Sequence, residues 1–154
     1  MASGRFSVTR LADASAAAGT AKTMIRLAAD ANLPFTISSF WISNDDMIAG
    51  DAPIKVEILE ETVLGDGTGG TSPTPRDLAG TGATSRVTAR VNLGTEGSPT
   101  LVLLRAYLVP AGQTLAIQLP LGRDDVIAKA LAWRMRVTAV TSTANLTYGA
   151  DWEE

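Results

Sequence analysis

The side chains that carry most enzymatic chemistry are missing from this chain of 154 residues. It has no histidine and no cysteine, which removes the usual general base, the usual zinc ligands, thiol nucleophiles and any disulfide framework. What remains is oxygen chemistry. Adjacent acids stand at Asp45-Asp46, Glu60-Glu61, Asp124-Asp125 and Glu153-Glu154, and two carboxylates can divide acid and base work or hold calcium. None shows the spaced Asp-x-Asp-x-Asp-Gly of a calcium loop, and adjacent acids in turns ordinarily cap or face solvent, so no metal is expected. A carboxylate-pair enzyme would need two acids facing each other across a cleft. Gly65-Asp66-Gly67-Thr68-Gly69-Gly70-Thr71 has the glycines of a phosphate cradle. It lacks the Gly-Lys-Ser/Thr ending, and prolines follow where a helix should begin, so no nucleotide or other cofactor is expected. Asn145-Leu146-Thr147 fits a glycosylation sequon inside a strand candidate and needs no explanation beyond chance. The chain reads as a non-enzyme.

Binding groups are easier to find. Ten of the 13 basic residues are arginine, whose planar fork suits carboxylates and carbonyls at interfaces. Arg134 and Arg136 project from the polar face of their strand, while Arg105 interrupts an apolar run as an interface residue, a buried ion pair or a snorkelling edge residue. Trp41 and Trp133 fall on apolar strand phases and read as core; an outward aromatic row would instead suit sugars. Trp152, beside Glu153 and Glu154, is placed to anchor the last strand or a neighbouring subunit. The balance of 13 Lys+Arg against 16 Asp+Glu, net -3, does not suit a protein that grips nucleic-acid phosphates.

The elements that must hold these groups are strands. Ile54 to Glu60 alternates apolar and charged residues, Ala132 to Thr138 does the same, and Leu146, Tyr148, Ala150 and Trp152 continue the period of two. Thr36 to Ile42 is rich in β-branched and aromatic residues. Thr100 to Val109 is nearly continuously apolar, as in a strand buried on both faces. Shorter candidates are 6–10, 22–28, 86–91, 115–119 and 126–131. Turn signals punctuate them at Asn44-Asp45-Asp46, Gly50 to Pro53, Gly94 to Pro99, Pro110-Ala111-Gly112 and Gly122 to Asp125. This many short strands predicts an all-β sandwich or barrel.

The organisation expected is an N-terminal arm or first strand over 1–20, then one β-sandwich over 21–154 with a Gly/Thr/Pro loop insert at about 64–85. The Ala-rich stretch 11–18 could form a turn or two of helix or lie extended. The start lacks the apolar core of a signal peptide, and no apolar run reaches the ~20 residues of a membrane helix, so the chain is expected to be made in the cytoplasm and to avoid membranes.

The order of these pieces resembles a small bacteriophage capsid decoration, or cement, protein. The likeness rests on a strand such as Ala21 to Leu27, the pair Phe35 to Ser43 and Ile54 to Glu60, and the loop Gly67 to Leu78 with Thr74-Pro75-Arg76-Asp77-Leu78. It continues through Pro120-Leu121-Gly122-Arg123, the strand Leu131 to Val140, and the tail Trp152-Glu153-Glu154. The resemblance implies a jelly-roll antiparallel β-sandwich, a homotrimer, and attachment to the outer face of the major capsid protein lattice of a virion. It implies no catalytic residues. The N-terminal stretch and the loop are the natural contact elements. The expected partner-binding residues are therefore Arg5, Phe6, Arg10, Leu11, Asp66, Thr68, Pro73, Pro75, Arg76 and Trp152. A mean hydropathy of +0.14 agrees with apolar surface buried between subunits. The rival expectation is a carbohydrate- or receptor-binding β-sandwich of a virion fibre or tail.

Overall fold

The computed structural model describes residues 4–14, 17–45, 53–120, 125–140 and 143–154. Among them are eleven strands and no helix: β1 (Arg5–Ala14), β2 (Ala21–Ala28), β3 (Phe35–Asn44), β4 (Ile54–Val63), β5 (Arg76–Asp77), β6 (Thr88–Val91), β7 (Thr100–Val109), β8 (Thr114–Gln118), β9 (Asp125–Ile127), β10 (Ala132–Thr138) and β11 (Asn145–Glu153). The expected turns at Gly50 to Pro53 and Gly122 to Asp125 lie largely outside the described residues, as do Asp46 and Asp124 of the acid pairs.

Two antiparallel sheets face each other. The first runs β5-β1-β11-β3-β8, with β9 also pairing β3; the second runs β6-β2-β10-β4-β7. Setting aside short β5, β6 and β9, the eight remaining strands alternate between the two sheets in chain order, except that β4 and β7 follow one another as neighbours in the second sheet. Their spatial orders, β1-β11-β3-β8 and β2-β10-β4-β7, are those of a jelly roll. The alternation read from the sequence sets the core. Phe6, Val8, Ile37, Phe40, Ile42, Leu146, Tyr148, Ala150 and Trp152 face inward from one sheet. Ile25, Leu27, Val56, Ile58, Trp133, Met135 and Val137 meet them from the other. Phe40 joins the layers, its ring 5.8 Å from that of Trp133 and 6.3 Å from that of Tyr107.

Three expectations need correction. Thr100 to Val109 is not buried on both faces: β7 is an edge strand, paired only with β4, and much of it is exposed. Trp41 is not core. Its half-buried ring lies on the outer face of the first sheet across from Gly149, where any Cβ would come within 2.6 Å of the indole nitrogen. The charged phases of β4 and β10 are only partly in water: Lys55 is exposed, but Glu57, Glu61 and Arg134 are buried. The segment after β4 covers that face.

Candidate functional site

The chemistry-bearing residues of the second sheet collect on its outer face. A bulge between the Ile25 and Thr23 pairings of β2 puts Met24 out of register. Met24 and Ile25 both enter the core, and Thr23 and Arg26 both look outward. There Arg26 grips Glu61 with two hydrogen bonds, Nε to Oε1 at 2.9 Å and Nη2 to Oε2 at 3.0 Å. Arg134, from the adjacent β10, donates its Nε to the same Glu61 Oε1. Two cations thus share one buried carboxylate, and the remaining donors are satisfied by the chain that follows β4. Arg26 reaches Asp66 Oδ1 at 2.8 Å. Arg134 donates to the Gly65 carbonyl at 2.8 Å, the Glu96 carbonyl at 3.1 Å and Glu96 Oε2 at 3.2 Å. Beside this cluster Arg136 and Lys55 both hold Glu57. Burial opposes the Glu57 charge, but the hydrogen bonds from Lys55 and Arg136 outweigh it and keep its carboxyl below the usual range.

This network explains the glycine-rich segment. Residues 65–71 lie across the outer face beside 91–97, bridging at Thr68–Thr95 and Thr71–Val91. Arg90 donates to the Gly67 carbonyl at 2.7 Å. Gly70 has φ +76°, and a side chain there would run into the Val91 carbonyl. The glycines serve close backbone approach, and the acids and carbonyls of the segment serve buried arginines.

The chain then crosses to the first sheet. Arg76 and Asp77 pair with Ser7 and Phe6 as β5. Asp77 accepts from the Ala79 and Gly82 N–H groups and the Thr81 hydroxyl at 2.8–3.0 Å. Desolvation opposes its charge, and these bonds, Thr81 foremost, hold its pKa below the usual range. Glu154 closes the circuit, accepting from the Ser85 hydroxyl, the Arg86 and Val87 N–H groups and the Trp152 indole. The 64–85 segment is therefore a strap binding both sheets along one side.

The expected contact residues divide accordingly. Phe6 and Trp152 are corrections: both are buried, their rings stacked at 6.1 Å, so neither offers a surface to a partner. Asp66 and Thr68 sit on the strap and are engaged by Arg26 and Thr95, though their outer sides are exposed. Pro73 and Pro75 are half-buried in it, and Arg76 is exposed on β5. Of arm or strand, residues 5–14 take the strand. A bulge between Arg10 and Asp13, with Ala12 at φ +62°, turns Leu11 outward to 70% exposure. Asp13 points back inward, where it takes the Arg10 Nε at 3.0 Å and the Tyr148 hydroxyl at 2.5 Å. Burial, and that bond to Asp13, push the Tyr148 pKa well up. Leu11, Arg10, Arg76 and Leu78 thus belong to the β1–β5 side of the sandwich.

No family model matches the chain, and no curated protein or solved structure matches it significantly. Two further surfaces come from the geometry. On the outer face of the first sheet an open groove of about 1020 Å³ is lined by Arg5, Thr36, Ser39, Trp41, Gln118 and Glu153 among others. Its lining includes the buried Phe40 and the half-buried Trp41, with Ser39 hydrogen-bonded to Asp151 at 2.7 Å alongside. Along the edge of the second sheet, β7 exposes Val102, Leu103, Leu104 and Leu108, and Val63 at the end of β4 and Leu64 after it are exposed as well. Arg105, the single charge on β7, is turned inward to Asp125 of β9 at 2.5–2.6 Å. That hydrogen bond raises its pKa against the opposing effect of burial. Sequence reasoning missed this edge because an apolar run reads the same whether it is buried or left bare. Among the described residues no group of three or more acids could hold a metal ion.

Proposed function

We propose that the chain is a virion structural protein that decorates and stabilises a bacteriophage capsid, binding the outside of the major capsid protein lattice as a homotrimer. The observation that carries this reading is how the polar residues are spent. Glu61, Arg26, Arg134, Asp66, Glu96 and Glu154 lock a strap and a chain end onto a jelly roll, while leucine and valine are left outside. A sandwich stapled along one side and apolar on another suits a part that must stay rigid while pressing on other protein. The β1–β5 side, with Leu11, Arg10, Arg76 and Leu78, is the surface we assign to the lattice. The reading is tested by heating DNA-filled heads of the encoding virus, stripped of this chain, with and without the purified protein. Added protein should raise the temperature of DNA release; an unchanged release temperature removes the stabilising role.

A second reading is favoured by Trp41 alone. A flat indole among Ser, Thr, Gln and Arg side chains is the kind of surface on which a sugar ring stacks. The same ring also covers Gly149, a cross-strand packing role that needs no ligand. Glycan titration followed by tryptophan fluorescence decides it: Trp41 is the outward tryptophan, and a response abolished by Trp41→Ala would move the chain to the receptor-binding class.

A further inference from the structure

The other edges of the sandwich are each managed. β5 pairs the open side of β1 at Phe6 and Ser7, and beyond them β1 carries Arg10, Asp13 and a bulge that breaks the edge. β6 covers β2, and its own Val91 is bridged by Thr71. β8 is five residues long and puts Thr114 and Gln118 in solvent. β7 is different, with ten residues on a sheet edge, no charge directed outward, and Leu103 and Leu108 exposed to 55% and 68%. Natural sheets blunt such edges with lysine, proline or a covering segment, because unpaired N–H and C=O groups along an apolar strand recruit another chain. We infer that β7 is the edge at which copies of this chain meet.

A second copy is the occupant the chemistry favours. The chain is acidic overall, at -3, so copies approach most easily where neither presents charge. The β7 edge is that place, since its one cation is neutralised by Asp125. A foreign partner would find no charge there to recognise, whereas the apolar β7 edges of further copies, brought together around a common axis, can cover one another. The dimensions also suffice. A ten-residue strand spans about 33 Å, and the facing sheet with β8 and β9 adds a layer about 10 Å away. Together they offer a face of several hundred Å², on the order of the ~800 Å² per partner that a stable contact covers.

The inference rests on the reading of this chain as a contact module, and not on the capsid. Sedimentation velocity of the full chain tests it, beside the double variant Leu103→Lys/Leu108→Lys and the control Leu11→Lys on the opposite side. Wild type and control should sediment as the same oligomer. The double variant should weaken association on the order of 100-fold and run as the 16.0 kDa monomer with an unchanged far-ultraviolet β-spectrum. If that spectrum is lost, Leu108→Glu alone, which sets like charges against each other, supplies the same readout. A wild-type monomer, or a folded variant of wild-type mass, overturns the inference. An oligomer that ignores heads would remove the capsid and keep the edge; a monomer that binds heads would do the reverse.

Discussion

Glu61 is the residue on which the covered face depends. Its carboxylate is buried between Arg26 and Arg134, so removing it leaves two cations facing each other out of water. Breaking a buried ion pair from one side costs about 3–5 kcal/mol, whereas an exposed pair is worth ~1 kcal/mol or less. Glu61→Ala is expected to lose stability in the first range by urea unfolding. Asp66→Ala, whose carboxylate is 73% exposed, should stay within the second. Equal effects would mean that the strap and not the triad holds this face. Little of this was legible in the sequence. Glu61 and Arg134 sit on polar strand phases, which ordinarily mean solvent. The glycines at 65, 67 and 70, which the sequence offers as a phosphate cradle or a loop, mark instead where one backbone lies close to another. Thr23 and Arg26, three apart, share a face through a bulge that no period of two reveals.

Among the elements, β1 shows the difference between an arm and a strand. Phe6 and Val8 fill the core, and β11 and β5 both pair to β1. Deleting residues 1–14 should therefore abolish the cooperative thermal transition; a truncated chain that still melts cooperatively would show that β1 is dispensable. The strands themselves were readable, because Ile54 to Glu60, Ala132 to Thr138 and Leu146 to Trp152 alternate against a core and alternation survives in any register. Which strand lies at an edge was not readable, since that is decided by pairings far apart in the chain. β7 and Trp41 are the cost of that limit: one looked doubly buried and the other inward.

For the whole molecule, the missing histidines and cysteines shape the pH response. No side chain of those types titrates between about pH 5 and 8, so stability should be flat there. Glu57 and Asp77 both have depressed pKa values. In acid the unfolded chain takes up protons before the native one does, so their contribution, full at neutral pH, is lost as pH falls through and below about 4. Chemical denaturation across pH 2–8 should show that decline, and Glu57→Gln with Asp77→Asn should make it shallower; an unaltered slope would place the acid sensitivity elsewhere. The fold gives the molecule two unlike sides, the strapped β1–β5 side and the bare β7 edge; the first is the side we propose for a lattice, the second the edge we infer for further copies.

The decoration we propose is tested most directly by co-sedimentation of the purified chain with assembled heads that lack it, from the phage to which the proposal assigns it. Decoration predicts saturable binding at a fixed number of copies per capsid protein, weakened by Leu11→Asp with Arg76→Glu. Protein that stays in the supernatant at every ratio would contradict it.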